Sequence, residues 1–261
     1  MCITEIGRIA LYQGDVLSGF KNIVHGFTTR KGGVSTGEYA SLSMSPWRGD
    51  DVVNVRENER ILCESLSLDL SKLTATKQEH TDTVEIIDES RIGYGIEIPW
   101  NKGVDACITA LKNVPLLCYS ADCVPILMYA SDIGAIAAIH AGWRGTQSEI
   151  VKKTALKMVE MGAAGNHIYV EIGPCIHKCC YEVSDDVALQ FEEKYYDKCD
   201  NGKYMLDLAS VNRDLVKMCG VPDENISVSE LCTKCNNDLF FSHRGQNGKS
   251  GTLAGVICMR D

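Results

Sequence analysis

Several segments of this chain are apolar from end to end, and the most informative of them leads straight into polar residues. The run Ile133–Ile139 is followed by His140, and the residues that continue to Thr146 indicate a helix start. A strand without polar positions belongs in a sheet that is covered on both faces. His140 is therefore predicted at the end of a buried strand, where functional sites are commonly assembled. The alternative is that His140 is a hydrogen-bonded histidine of the core, and the residues near it must distinguish the two roles.

Further strands and helices follow from the spacing of apolar residues. Strands are predicted at Ile23–Thr28, Lys72–Lys77, Thr83–Ile87, Pro115–Tyr119, Val124–Tyr129, Ile133–Ile139, His167–Ile172 and Leu253–Cys258. Helices are predicted at Val53–Leu68, Ser148–Met161, Asp185–Tyr196 and Leu208–Cys219. Because strands and helices do not alternate regularly, we predict an α+β fold in a single domain, with sheets packed inside and helices outside.

The predicted helices begin and end at residues that commonly cap helices. Thr146 followed by Glu149 predicts a capping box, and Ser184 is placed to cap the third helix. Gly162 and Gly220 stand where a left-handed residue closes a helix. These signals set the expected boundaries.

Composition excludes some partners. The 261 residues carry a net charge of −9, which disfavours nucleic acid and anionic membranes, since both attract a positive field. Residues 1–15 contain no apolar signal segment, and no run approaches the ~20 residues of a membrane span, so we expect a cytoplasmic protein. Its 13 cysteines are an odd number, and most are expected to be reduced thiols. A monomer and a small homo-oligomer both remain open.

Three predicted strands end beside side chains that bind metals well: His80, Cys123 and His140. If these strand ends meet at one sheet edge, the set leaves a fourth tetrahedral position open, as in catalytic zinc sites. Such a zinc ion lowers the pKa of water toward ~7. A second use of the same residues is Cys123 as a nucleophile, with His140 or His80 as its base and no metal. The two hypotheses differ in their response to chelators.

Eight motifs together resemble the YfiH/YlmD family, which has been labelled laccase-like or polyphenol oxidoreductase. They are His25–Ser35, Gln78-Glu79-His80, Asp105-Ala106, Ala121–Pro125, His140–Gly145, Ile172–Ile176, Tyr181–Val183 and Phe240–Arg244. The match is in order along residues 22–261, which are taken as the catalytic domain, whereas residues 1–21 are expected to form an N-terminal segment packed on it.

The resemblance implies a four-layer α/β/β/α sandwich with mixed sheets and a zinc site at His80, Cys123 and His140. It implies phosphorolysis of purine nucleosides (adenosine, inosine, guanosine and methylthioadenosine) and deamination of adenosine, with a nucleoside and phosphate as the small-molecule partners. A zinc amidase that edits the peptidoglycan precursor UDP-MurNAc-L-Ser is the alternative. A copper polyphenol oxidase is disfavoured, because six histidines without a His-x-His pair cannot supply several coppers.

Substrate contacts are assigned from residue type. Arg30 and Arg144 can bind phosphate, the former beside Gly32-Gly33, whose amides could form an anion-binding concavity; solvated charges in a turn are the alternative for Arg30. Ser41 and Asn58 can bind a ribose. Further candidates are Gln78 near a ligand, Asp122 as proton carrier or ligand orienter, and Trp143, which could stack on a purine but is more simply explained by core packing.

The remaining cysteines pose a separate question. Cys175, Cys179 and Cys180 precede Cys232-x-x-Cys235, and four thiolates could form a second, structural zinc site. A disulfide or inert thiols are the alternatives, because the spacing of the first group differs from a zinc knuckle.

Overall fold

Two six-stranded mixed sheets contain strands at all eight of the predicted positions. The computed structural model of the protein describes residues 2–261. The first sheet has the order β1 (Cys2–Ile6), β2 (Ile9–Gln13), β3 (Ile23–Thr28), β15 (Leu253–Met259), β7 (Leu116–Ser120) and β4 (Thr74–Ala75). The second has the order β14 (Ile226–Val228), β10 (Ile168–Ile172), β8 (Val124–Ala130), β9 (Ala135–Ala141), β6 (Ala106–Thr109) and β5 (Val84–Ile86). A small third sheet consists of β11 (Glu182–Val183), β13 (Tyr204–Leu206) and β12 (Tyr196–Lys198).

The apolar strands are buried on both faces, as their composition predicts. In β8, Leu127 belongs to the apolar cluster between the two sheets, whereas Ile126 and Met128 belong to the cluster on the opposite face. Alternate residues of a strand point to opposite faces, so only a strand covered twice can be apolar throughout. Removing one such side chain to alanine typically costs about 2–5 kcal/mol. The predicted α+β class with mixed sheets in one domain is confirmed.

Helices cover the outer faces of the sheets. They are α1 (Asp15–Ser18), α2 (Val52–Leu66), α3 (Trp143–Gln147), α4 (Ile150–Glu160), α5 (Asp185–Ala188) and α6 (Leu208–Lys217). The apolar side of α2 packs with residues of β7 and β15, and α4 and α6 pack on the outer face of the second sheet. Within residues 2–261, no helix has the length and apolar character needed to cross a membrane.

Two helix predictions need correction. The predicted helix Asp185–Tyr196 ends as an α-helix at Ala188, because Tyr196 begins β12 and pairs with Leu206 of β13. Tertiary pairing has overridden a helical pattern there. Ser184 is the N-cap residue of α5, although its hydroxyl contacts the Asp186 carboxylate and no backbone N–H.

The predicted capping box of Thr146 and Glu149 is also wrong. Thr146 lies inside α3, which begins at Trp143, and its hydroxyl accepts a hydrogen bond from Asn212 at 2.9 Å. Glu149, at φ 60°, separates α3 from α4 and makes no capping bond. Gly162 and Gly220 have positive φ, as predicted.

The N-terminal residues were not recognised as strands. They form β1 and β2, and Leu11 and Tyr12 of β2 pair with β3, so these strands extend the first sheet.

Candidate metal centre

His80, Cys123 and His140 converge at one edge of the second sheet. Each offers one ligand atom, and these atoms lie within 4.8 Å of one another. The Cys123 Sγ is 3.8 Å from the His80 Nε2, and the two imidazole rings meet edge to face with centroids 5.0 Å apart. His140 is buried, Cys123 is half-buried and His80 is exposed. Three ligands therefore converge, with one of them at the surface.

Strand register brings two of the ligands together. β8 and β9 are antiparallel neighbours, and Val124 at the start of β8 pairs with Ala141 at the end of β9. Cys123 directly precedes Val124, and His140 directly precedes Ala141. This register therefore places Cys123, just before β8, beside the end of β9, where His140 lies, at a rigid sheet edge.

Asp105 holds both histidines in place. Its Oδ1 accepts a 2.8 Å hydrogen bond from the His140 Nδ1, so the other ring nitrogen of His140 is free to face the site. The same carboxylate accepts backbone N–H groups of His80 and Thr81, and the Thr81 hydroxyl. Histidines that bind metals usually donate their second N–H to a carboxylate in this way. The buried Asp105 therefore fixes the side chain of one ligand and the backbone of the other.

Gly142 permits the close approach of these ligands. A Cβ added there would lie 2.7 Å from the His80 ring and 3.2 Å from the Cys123 Sγ. The first distance is too short for any side chain at this position. Only glycine leaves room for His80 and Cys123 to meet.

Electrostatics favour a thiolate at Cys123. Burial alone raises the pKa of this thiol, but the neighbouring His140 and His80 lower it overall, to about 6. Burial alone lowers the pKa of His140, whereas Cys123 and Asp105 raise it overall, to about 9. The thiolate is the form that both binds metals and attacks electrophiles. The charge pattern is thus compatible with both sequence hypotheses.

The donor set fits one zinc ion. Two imidazoles and a thiolate with no fourth protein ligand match an open, catalytic type of site, and the Asp105 contact completes the usual support. Within residues 2–261, the only other group able to hold a metal consists of four cysteines. A multicopper oxidase needs several histidine-rich copper sites, which the described residues do not provide.

A cavity of about 100 Å³ opens beside the ligands. Three hydroxyls in its lining, those of Tyr119, Ser120 and Thr252, are buried and have no hydrogen-bond partner among the described residues. Burial raises the pKa of Tyr119 well above its usual range, so its hydroxyl stays protonated. Buried polar groups are normally paired. Each of the three oxygens is closed off from solvent and has no protein partner among the described residues.

The outer wall of the cavity contains an aromatic and a cationic side chain. Trp47, 60% exposed, and Arg48 lie on a short 3₁₀ helix, Pro46–Arg48, and the Trp47 N–H donates to the capping hydroxyl of Ser45. The Arg48 guanidinium is 3.0 Å from the His243 Nδ1. An exposed tryptophan beside a cation is suited to bind a planar, anionic or polar ligand.

Gln78, Asp122 and Arg144 lie at or near the site. Gln78 lines the cavity, and its amide both accepts from the Tyr119 N–H and donates to the Tyr119 carbonyl. Asp122, at φ 89°, accepts bonds from the Thr233 hydroxyl and from the Arg244 backbone N–H, both at 2.6 Å. Arg144 is exposed and stacks on Trp143, with 4.3 Å from its Cζ to the ring centroid.

Arg30, Ser41 and Asn58 form a separate network outside the cavity lining. Arg30 donates to the carbonyls of Ala40 and Asn237 and stacks on Phe241. The Ser41 hydroxyl accepts the N–H groups of Gly32 and Gly33, the amides expected to bind an anion. Asn58, fully buried, bonds the Val34 N–H and the carbonyls of Ser41 and Ser43. A substrate role for these three stays a prediction.

Sequence reasoning missed several residues around the ligands. Asp105 and the Tyr119-Ser120 pair lie within or beside quoted motifs, so their position was a usable signal. No sequence signal pointed to Trp47 and Arg48, because only tertiary structure brings their 3₁₀ helix to the sheet edge. A larger cleft, about 460 Å³, lies between α3, α6 and the segment 190–195, and its lining contains none of the three metal ligands.

Comparison with known proteins gives a consistent result. The family described as multi-copper polyphenol oxidoreductase laccase matches residues 24–260. A purine nucleoside phosphorylase of Bacteroides thetaiotaomicron is 37% identical, over 98% of each chain. Adenosine deaminase RL5, from an unknown prokaryotic organism, is 34% identical over 89% of this chain and 93% of its own. The crystal structure of YlmD from Geobacillus stearothermophilus has a TM-score of 0.90 at 34% identity and covers 99% of both chains.

Sequence motifs, fold and ligand placement thus agree with full-length matches. The chain belongs to the laccase-like polyphenol oxidoreductase family that includes the YlmD and YfiH proteins, as its motifs had indicated.

Proposed function

We propose that this protein is a zinc enzyme that cleaves purine nucleosides with phosphate and deaminates adenosine. The observation that carries the proposal is the convergence of His80, Cys123 and His140 beside a cavity with three unpaired hydroxyls. The names of the relatives, purine nucleoside phosphorylase and adenosine deaminase, support the substrate class. All 13 cysteines are free thiols, which supports a reducing, cytoplasmic location.

His80, Cys123 and His140 would hold the zinc ion, and Asp105 would orient His140 through its Nδ1. When bound there, zinc supplies Lewis-acid activation of an oxygen nucleophile. This chemistry serves both reactions, because phosphorolysis uses a phosphate oxygen and deamination uses water.

In phosphorolysis, the bond between the sugar C1′ and the purine nitrogen breaks and a C1′–O bond to phosphate forms. Positive charge develops on the sugar, and the leaving base takes up a proton. The hydroxyls of Tyr119, Ser120 and Thr252 are proposed to bind the ribose, Trp47 to stack on the purine and Arg48 to hold phosphate. Deamination instead breaks the C6–N bond of adenosine, and ammonia leaves as water adds.

Asp122 is proposed to orient the turn that carries Cys123. Both of its carboxylate oxygens already accept hydrogen bonds, one from Thr233 and one from Arg244. A proton carrier needs a free oxygen directed at the substrate. The observed contacts therefore support the orienting role.

Substrate assays test the proposal directly. Zinc-loaded protein is incubated with inosine and adenosine, with and without phosphate, and the products are separated by chromatography. We expect phosphate-dependent release of hypoxanthine and adenine, and conversion of adenosine to inosine. Unchanged nucleosides, or release of serine from UDP-MurNAc-L-Ser in their place, would overturn it.

A pair of arginine variants tests the binding assignment. Arg48→Ala should raise the KM for phosphate by about 10–100-fold, because one charge-assisted contact is worth roughly 1.5–3 kcal/mol. Arg30→Lys is the matched control, since Arg30 already binds two carbonyls and lies outside the cavity lining. A phosphate KM that responds to Arg30 and not to Arg48 would reverse the assignment.

A further inference from the structure

Four cysteines outside the candidate catalytic site form a second group of ligand atoms. The sulfurs of this four-cysteine cluster lie within 4.8 Å of one another and belong to Cys179, Cys180, Cys232 and Cys235. The Cys235 Sγ is 3.4 Å from that of Cys180 and 3.8 Å from that of Cys179. No histidine or carboxylate belongs to the group.

Two neighbouring loops bring the four sulfurs together. β10 and β14 are parallel neighbours, so the chain leaves both strands at the same sheet edge. Beyond the strands the pairing continues through a bridge between Cys175 and Cys232, and the Thr233 N–H bonds the Cys175 carbonyl at 2.9 Å. The cluster therefore rests on a continuous backbone framework.

The sulfur spacing matches a single tetrahedral metal ion. Zinc–sulfur bonds of about 2.3 Å place the sulfurs of a tetrahedron about 3.8 Å apart. The observed separations of 3.4 and 3.8 Å bracket this value. A disulfide needs about 2.0 Å between one pair of sulfurs, and it would leave the other two cysteines unexplained. An iron–sulfur cluster would hold its cysteines farther apart, around inorganic iron and sulfide.

Backbone N–H groups surround Cys232 as they surround a metal-bound thiolate. The His177 N–H lies 3.5 Å from the Cys232 Sγ. Backbone N–H groups of Lys234 and Cys235 also donate to this sulfur. Two of these donors come from the Cys-x-x-Cys turn itself. Because the turn directs N–H groups at its first sulfur, it is built to stabilise a negative sulfur.

The four sulfurs lie close together, within 4.8 Å of one another. Four thiolates at such distances would repel each other. A divalent ion between them would remove this repulsion and displace the thiol protons.

We infer that Cys179, Cys180, Cys232 and Cys235 bind a structural zinc ion, separate from the ion at His80, Cys123 and His140. Four sulfur ligands close the coordination shell, so this ion stabilises structure and has no open position for substrate. On binding, the thiol protons leave to solvent and four sulfur–zinc bonds form, without any redox step.

The site would also stabilise the wall of the catalytic centre. Thr233, beside Cys232, donates to Asp122, which precedes the ligand Cys123. The N–H of Ile176, on the loop that leads to Cys179, donates to the Asp122 carbonyl at 2.9 Å. The two loops that hold the four-cysteine cluster thus contact the turn of the catalytic ligand.

Metal analysis of the full-length protein tests the inference. Protein purified in reductant without added metal is expected to hold about two zinc ions per chain. Cys235→Ser and Cys180→Ser should each lose one, Cys123→Ala should lose the other, and the double variant Cys123→Ala/Cys235→Ser should lose both. Cys2→Ser, an exposed cysteine outside both groups, is the matched control and should lose none.

Cobalt replacement provides a second readout, and its wild-type spectrum does not depend on whether any variant folds. Cobalt-loaded wild type should show intense sulfur-to-metal charge-transfer absorption that persists in Cys123→Ala and falls strongly in Cys235→Ser. About one zinc per chain in wild type, retained in Cys235→Ser, would overturn the inference. So would iron at the cluster, or a disulfide between any two of its cysteines in protein kept reduced. Phosphorolysis assays are separate, so failure of the proposed function leaves this test intact.

Discussion

The two groups of candidate metal ligands differ in their position in the fold, their ligand types and their surroundings. His80, Cys123 and His140 lie at strand ends, receive support from the buried Asp105 and border a cavity. The four-cysteine cluster (Cys179, Cys180, Cys232 and Cys235) lies on two loops, and two of its members are exposed. Three mixed ligands leave room for a reactant, whereas four sulfurs do not. The comparison separates a site suited to chemistry from one suited to stability.

The largest effect is expected from Cys123→Ala. Loss of the thiolate removes one of three ligands, and the rate of phosphorolysis should fall by roughly 10³-fold, since metal activation contributes several kcal/mol. Steady-state kinetics measure the rate, and metal analysis measures the zinc content. Cys2→Ser should keep the wild-type rate and the wild-type zinc content. A Cys123→Ala protein with wild-type activity would remove the distinction between the two groups.

Asp105→Asn should have the next largest effect. An amide cannot replace a carboxylate that accepts from the His140 Nδ1 and from several N–H groups, so zinc affinity or activity should fall about 10–100-fold. Competition with a coloured chelator measures the affinity. Asp82→Asn is the control, because that exposed carboxylate pairs only with Lys153 at the surface. Equal effects of both substitutions would refute the positioning role of Asp105.

Gly142→Ala should weaken the catalytic metal site by about tenfold, because the new Cβ would lie 2.7 Å from the His80 ring and must displace it. The four-cysteine cluster should keep its zinc. Gly19→Ala is the matched control, since the nearest atom to its Cβ is 3.6 Å away. Equilibrium dialysis distinguishes the two variants. Unchanged affinity in Gly142→Ala would show that the ligands tolerate a wider spacing.

The smallest effect is expected from Thr233→Val, which lies between the two groups. Its hydroxyl donates to Asp122 at 2.6 Å, so its loss should lower the free energy of unfolding by about 1–3 kcal/mol. Urea titration measures this change. Zinc content should stay at the wild-type level at both sites. Loss of zinc without loss of stability would indicate that Thr233 acts on the metal sites themselves.

The convergence of His80, Cys123 and His140 was predictable from sequence, because each lies at or shortly after the end of a predicted strand and strand ends meet at sheet edges. The contacts that support these three residues were not predictable from sequence. The bond from His140 to Asp105 and the cavity wall at Trp47 depend on segments that tertiary structure alone brings together. The two carbonyl contacts of the Arg30 guanidinium were likewise not predictable, and its phosphate role stays a prediction.

Local patterns failed where long-range pairing decided the outcome. The segment 185–196 has helical spacing, but Tyr196 is taken into β12. Thr146 and Glu149 have the spacing of a capping box, but α3 starts earlier, at Trp143. In both segments the sequence signal was local and the competing contact was not.

The most direct test of the central claim is the dependence of nucleoside cleavage on metal at His80, Cys123 and His140. Protein is depleted with a chelator, and hypoxanthine release from inosine and phosphate is measured as zinc is added back. We predict no activity in the depleted protein, recovery that saturates as the sites fill, and no recovery in Cys123→Ala. Full activity in metal-free wild type would contradict the zinc mechanism and would favour Cys123 as a metal-independent nucleophile.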